Sequence, residues 1–235
     1  ALEMVLRHAA GPTSVALRVR PLNRTEFTEG EETDLRRSFV SDSLLDEQIG
    51  HLTGEKERQS RAQFGRALSI LGQHAPASFA EIEAHIGEFV PAFGKPVNGM
   101  EFDGCSSLER WGSILINASL AKTDLELCEM IAHEASHNAL FAMAPLNFHV
   151  ENDPEERYAS PLRVDPRPMN GLYHATFVLA RMCYAMREVA ASPTAPAALA
   201  EEAGKLADAS AALFAKGYET VRQHAIFTPE GREIM

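Results

Sequence analysis

Apolar residues recur at helical spacing through the first half of the chain. Leu35, Phe39, Leu44, Leu45 and Ile49 form one set, Phe64, Leu68, Ile70 and Leu71 a second, and Phe79, Ile82, Ile86 and Phe89 a third. Side chains every third or fourth position fall on one face of a helix, so the stretch from about Glu32 to Val90 reads as helical. Ser78 with Glu81 makes a capping box that would open the last of these helices. The segment 91–99 holds Pro91, Gly94, Pro96 and Gly99 and reads as a loop. Ahead of this half, Ser14 to Val19 alternates apolar and polar between Gly11-Pro12 and Pro21, the pattern of a short strand.

The second half changes texture. Trp111 to Asn117 is a β-branched, apolar run that predicts a strand. Thr123 and Glu126 form a second capping box, and no glycine or proline interrupts the chain from Asp124 to Ala144, which predicts a helix. Pro145, Pro154, Pro161, Pro166 and Pro168 then exclude a long helix and leave an extended excursion up to Gly171. Loops of that length inside a domain usually carry function. Leu172 to Val189 reads as a largely apolar helix, and Pro196 to His224 as an amphipathic one with Leu199, Leu206, Leu213 and Tyr218 near one stripe. No internal repeat is present.

Charge narrows the function. The 235 residues carry a formal net charge of −11. That balance lacks the basic field that neutralises phosphates, which argues against nucleic acid as a partner. No window reaches the run of roughly 18 apolar residues that a membrane span needs, and the first thirty residues lack the succession of a signal peptide. The chain therefore reads as soluble and cytoplasmic. Cys105, Cys128 and Cys183 are odd in number and widely spaced, which fits buried small side chains better than disulfides or a zinc ribbon.

Chemistry concentrates in His133-Glu134-Ala135-Ser136-His137, an H-E-x-x-H motif inside the predicted helix 124–144. Four residues advance a helix by about 400°, so both imidazoles stand on one face, within reach of one metal ion. Glu134 lies about 100° round the helix, beside that ion. Two histidines leave a site incomplete, because catalytic zinc and non-haem iron each take three protein ligands. His174, at the start of the next predicted helix, is the strongest candidate for the third; Asp165, Glu155 and Glu156 are the alternatives. The continuation Asn138-Ala139-Leu140-Phe141 lacks the glycine and third histidine of the longer metzincin signature. The predicted fold class is mainly α (α+β): one domain over 1–235, with a helical half to about 100, then a site-bearing half with a zincin-like metal helix. A strand just before that helix is where zincin-type folds place an edge strand, by analogy of fold alone.

Three segments, Ile131-Ala-His-Glu-Ala-Ser-His137, Tyr158-Ala-Ser-Pro-Leu-Arg-Val-Asp-Pro-Arg-Pro168 and Gly171-Leu-Tyr-His174, resemble the HExxH-motif peptide-modifying proteins found beside ribosomally made peptide natural products. The resemblance is close over roughly residues 105–185 and general outside them. It implies an Fe(II)- and α-ketoglutarate-dependent β-hydroxylase acting on a ribosomally made precursor peptide, with His133, His137 and His174 on the iron. α-Ketoglutarate would chelate the metal and leave a distal carboxylate for a planar donor fork, a task suited to arginine. Arg163 or Arg167, flanking Val164-Asp165-Pro166, could be that fork; Ser160 and Tyr158 could add hydrogen bonds. The alternative use of the motif is a zinc peptidase with Glu134 as general base. A third possibility is a metal-stabilised binding protein with a closed coordination sphere. The arginine segment separates the first two, because a peptidase does not require it.

Overall fold

A computed structural model describes residues 17–39, 43–97, 101–120, 122–143, 149–161 and 165–235. A small mixed sheet divides it, and alternate residues of the central strands feed two different cores. Strand β1 (Arg18–Val19) pairs parallel with β3 (Glu88–Gly94), β3 parallel with β5 (Ser113–Asn117), and β5 antiparallel with β4 (Gly104–Ser106), so β4 ends the order β1-β3-β5-β4; β2 (Ile49–Gly50) joins the far end of β3. Phe89, Ile114 and Ile116 point into the larger core, while Val90, Ala92 and Leu115 point into the other. That alternation is the period-2 signature of a strand buried on both faces.

The second core is closed by helix α1 (Glu29–Phe39), through Leu35 and Phe39, and by Leu22, Phe27 and Ile49; the short helix α2 (Ser43–Gln48) leads into β2. The larger core is closed by α3 (Gly54–His74), α4 (Pro76–His85), α5 (Asp124–Met143), α6 (Met169–Ala191) and α7 (Ala197–His224). Burying apolar faces of helices on both sides of a sheet gives the mainly α, α+β class read from the sequence. A third cluster joins Leu140, Val150, Met169, Leu172, Tyr173, Phe177 and Val221 and carries the C-terminal helix α8 (Pro229–Ile234), which the sequence pattern did not predict. No described helix is long and apolar enough to cross a membrane.

Two expectations are overturned. Of the segment read as a loop, Pro91 to Gly94 are strand, since Pro91 sits within β3 and pairs with Ile116; Lys95 and Pro96 carry no regular structure, and 98–99 lie outside the described residues. Proline removes one donor from the ladder, but its carbonyl still accepts from Leu22 N at 2.8 Å, and the buried side chains on both faces outweigh the lost bond. Accordingly the preceding helix stops at His85, and Ile86 and Phe89, which matched a helical period, enter the larger core from the helix cap and from β3 respectively. Nor does Ser78 cap a helix. Pro76 opens α4 two residues earlier, and the carboxylate of Glu188 on α6 accepts from Ala77 N (3.2 Å), Ser78 N (2.8 Å) and Ser78 Oγ (2.6 Å). A carboxylate from a neighbouring helix thus serves the amides that a local cap would have served.

Other elements fall close to their predicted bounds. The Thr123–Glu126 box is reciprocal, with Thr123 N donating to Glu126 (2.7 Å) and Glu126 N to Thr123 Oγ1 (3.1 Å). The predicted strand 111–117 begins at Ser113, because Gly112 turns the chain at φ 87°. Asn138 of α5 pins that turn, accepting from Gly112 N (2.8 Å) through Oδ1 and from Trp111 Nε1 (2.9 Å) through its carbonyl. α6 starts at Met169, three residues earlier than its apolar pattern indicated. Of the strand expected over 14–19, residues 14–16 lie outside the described residues, and Arg18–Val19 forms β1. Ahead of Met169, the described parts of the proline-rich excursion contain no helix; Val150 bridges Phe227 and Tyr158 bridges Arg167.

Candidate metal centre

Helix α5 is apolar enough to be buried along most of its length, and Ile131, Ala132, Ala135 and Ala139 lie in the larger core. His133 and His137, one turn apart, project together, their rings 5.1 Å apart and inclined at 66°. α6 packs against α5 and brings the ring of His174 to 6.1 Å from that of His137. Phe141 lies 6.4 Å from His137 and 6.1 Å from His174, forming an apolar wall. The third histidine expected from sequence is therefore beside the motif. The carboxylates weighed against it are not: Glu155, Glu156 and Asp165 are exposed and face Arg157, Tyr158 and Arg167 respectively.

Glu134 is 4% exposed and reaches from α5 to the terminal strand β4. Its Oε2 accepts from Ser106 Oγ at 2.6 Å, and its Oε1 lies 3.9 Å from His133 Nε2. Gly104 makes this approach possible, because a Cβ there would stand 2.6 Å from Glu134 Oε1. Burial pushes the Glu134 carboxyl up to about 7, against the hydrogen bond from Ser106 and helped by the charge of Asp103.

The imidazoles shift the other way. Burial lowers His133 to about 4, against Asp103, and lowers His174 to about 4 with His149 adding to the effect. His137 falls to about 3 through burial and its neighbours His133 and His174. All three are neutral near pH 7, the state in which a ring nitrogen can ligate a metal. His133 Nδ1 faces Met182 Sδ at 3.3 Å, leaving Nε2 on the Glu134 side. Among the described residues, the rings of His137 and His174 have no hydrogen-bond partner.

These donors fit a transition-metal ion in kind: half-buried neutral imidazoles, those of His137 and His174 with unengaged nitrogens, beside the apolar ring of Phe141. They are neighbours in a chain rather than a closed cage. As the side chains stand, no group of three or more His, Cys, Asp or Glu among the described residues is arranged to hold a metal ion. Ring rotations must therefore accompany binding.

The arginine segment is divided. Arg163 lies outside the described residues. Arg167 exchanges backbone hydrogen bonds of 2.9 Å with Tyr158, and its Nε lies 3.0 Å from Asp165. Its side chain is 40% exposed, as a surface ion pair would be. Four contributors escaped the sequence reading: Gly104, Ser106, Met182 and His149. His149 stacks on Tyr173 at 4.8 Å and stands 5.5 Å from His174. Its only sequence signal was an imidazole inside the proline-rich excursion; for Gly104, Ser106 and Met182, which reach the motif across the fold, no local signal exists. No family model matches the chain, and no curated protein is significantly similar to it.

Proposed function

We propose that the chain is an Fe(II)- and α-ketoglutarate-dependent oxygenase that hydroxylates the β-carbon of a residue in a ribosomally made precursor peptide. His133, His137 and His174 would hold the iron. The observation that carries this reading is the gathering of three neutral, half-buried imidazoles from α5 and α6 while the nearby carboxylate, Glu134, is engaged by Ser106. Bound iron would supply oxygen activation coupled to decarboxylation of the keto acid. The chain itself keeps the ligand nitrogens unprotonated by burial and lines the site with Phe141. Arg163 or Arg167 would hold the distal carboxylate of the keto acid, Arg167 by exchanging Asp165 for it. Cys105, Cys128 and Cys183 are all unpaired, in keeping with a cytoplasmic site of action.

One observation favours a zinc peptidase as the second reading. A carboxyl held near neutrality, 3.9 Å from a ligand nitrogen, is suited to general-base work on a metal-bound water.

The test is anaerobic titration of the Fe(II)-loaded protein with α-ketoglutarate, following the metal-to-ligand charge-transfer band, then succinate release on admitting oxygen with a precursor peptide. An oxygenase develops the band and releases succinate, and Glu134→Gln retains keto acid turnover. Absence of both signals, with peptide cleavage that Glu134→Gln abolishes, would establish the peptidase instead.

A further inference from the structure

Six buried side-chain nitrogen or oxygen atoms lack a hydrogen-bond partner among the described residues, and four of them, His149 Nδ1 and Nε2, Arg167 Nε and Asn170 Oδ1, gather round the start of α6. Buried polar groups are rarely left so, and orphans collected in one place call for a partner supplied from outside the chain. The backbone is open there too. Pro168 at the N-cap supplies no side-chain acceptor, and among the described residues the amides of Met169, Asn170 and Gly171 donate to nothing. An uncapped first turn on a helix of 23 residues leaves these N–H groups and a partial positive charge at its end. His149, only 3% exposed, closes the back of that turn. Tyr173 and His174 follow Asn170 by three and four positions, so the three share a face, and helical side chains lean toward the N-terminus. The His149 ring stacks on Tyr173 at 4.8 Å and stands edge-to-face to His174 at 5.5 Å, which lays it over the turn that holds Asn170. Its backbone is clamped from behind, the carbonyl accepting from Thr228 N (3.1 Å) and Thr228 Oγ1 (3.2 Å) while Tyr173 donates to Gly231 O of α8 at 2.9 Å. On the other side Gly171 is exposed and Asn170 half-buried, so the turn is reached from solvent.

The groups themselves decide what the partner is, because every one of them can donate. A neutral imidazole carries one N–H, and a half-turn of the Asn170 amide presents Nδ2 in place of Oδ1. Arg167 Nε lies 3.0 Å from the exposed Asp165 without forming a hydrogen bond to it. Donors without acceptors at a helix N-terminus are the environment of an anion, and a carboxylate has two oxygens to share among them. We propose that the first turn of α6, with Arg167, Asn170 and His149, is a carboxylate-binding site. The site needs no metal; which carboxylate fills it, the distal one of a dicarboxylate cosubstrate or one on the peptide, rests on the function proposed above. Within that reading Arg167 does not act alone, since the helix end, Asn170 and His149 complete the cradle.

The experiment titrates the full chain, kept metal-free by a chelator, with glutarate, α-ketoglutarate and N-acetylglycine, following backbone amide resonances by NMR. Saturable shifts at Met169, Asn170 and Gly171 are expected. Asn170→Asp is the sharpest variant, because an acidic residue in the first turn favours the helix while it repels a carboxylate. Binding should weaken roughly tenfold or more with no fall in the thermal midpoint. His149→Phe keeps the stack on Tyr173 but has no donor, and should weaken binding by a similar factor. Binding of the two dicarboxylates alone assigns the site to a cosubstrate, and binding of N-acetylglycine as well assigns it to a peptide carboxylate. Absence of saturable shifts with all three, shifts reproduced by chloride at equal ionic strength, or an affinity unchanged in either variant overturns the proposal. No metal and no turnover enter the measurement, so failure of the oxygenase reading leaves this result standing, and the reverse.

Discussion

The carboxylates Glu88 and Glu32 of the first half and the histidines of the second are treated in opposite ways. Glu88 is met by Arg20 (2.7 Å), Ser113 Oγ (3.1 Å) and Arg110 (3.4 Å), and Glu32 by Arg36 (2.9 Å), His51 (2.9 Å) and Arg24 (3.4 Å). Burial opposes ionisation of Glu32, yet the hydrogen bonds from His51 and Arg36 hold it below the usual carboxylate range. Around His137, His174 and His149 the rings face one another, with no hydrogen-bond partner among the described residues. A satisfied network fixes structure and has nothing to offer a ligand. An unsatisfied one costs stability, and it is retained where something else completes it.

Acid provides the widest test of this contrast. In metal-free protein, His133, His137 and His174 have folded-state values lowered to about 4, 3 and 4, so between pH 6.5 and 4.5 the unfolded chain binds protons that the folded one refuses. Stability is lost as pH falls through that window. Glu134 works in the opposite sense, since its folded value is raised to about 7 and it takes up its proton earlier when folded. With three groups against one, urea denaturation in the presence of a chelator should show a net loss on the order of 4 kcal/mol over those two pH units. A flat profile would mean that the imidazoles are not buried as neutral groups.

The paired half is broken by Glu88→Ala, which takes from Arg20 and Arg110 the carboxylate they share and leaves Arg20 only the more exposed Glu31. Losing one partner of a buried pair is strongly destabilising, and with Arg20 23% exposed we expect about 2–4 kcal/mol at unchanged denaturant slope. Metal affinity should not change, because no contact links Glu88 to the histidines among the described residues. Coupled loss of both would show that the two regions are not independent.

Gly104→Ala sharpens the comparison from the site side. Its Cβ would stand 2.6 Å from Glu134 Oε1, so the carboxylate or β4 must shift, at about 1–3 kcal/mol. The expected signature is a change in the pH dependence of turnover larger than the change in thermal midpoint would imply. The smallest effect belongs to Thr123→Ala, which removes the reciprocal cap of α5 and should lower stability by about 1 kcal/mol while leaving metal binding intact.

How much of this was legible in advance depended on distance along the chain. Helix α5, its cap and the one-turn spacing of His133 and His137 are local facts, set by propensity and by the helix repeat. His174 could be proposed only because two ligands demand a third. Ser78 misled for the converse reason: its local pattern was sound, but Glu188, more than a hundred positions away, took over the amides. Pro91 misled similarly, because no local rule registers that Leu22 and β5 lie on either side to pair with it.

The sequence by itself determined the metal-motif helix and the two long helices after it, that the chain is mainly helical with a few strands, and that two histidines and a glutamate share one turn of one helix. Tertiary structure alone decided that His174 stands beside them, that β4 ends the sheet over Glu134, and that His149 is clamped against His174 by the C-terminal helix. The reason is the range of the forces involved. Helix periodicity and capping act within a few residues, whereas packing α6 on α5 and α8 on His149 is chosen by burial across the whole chain.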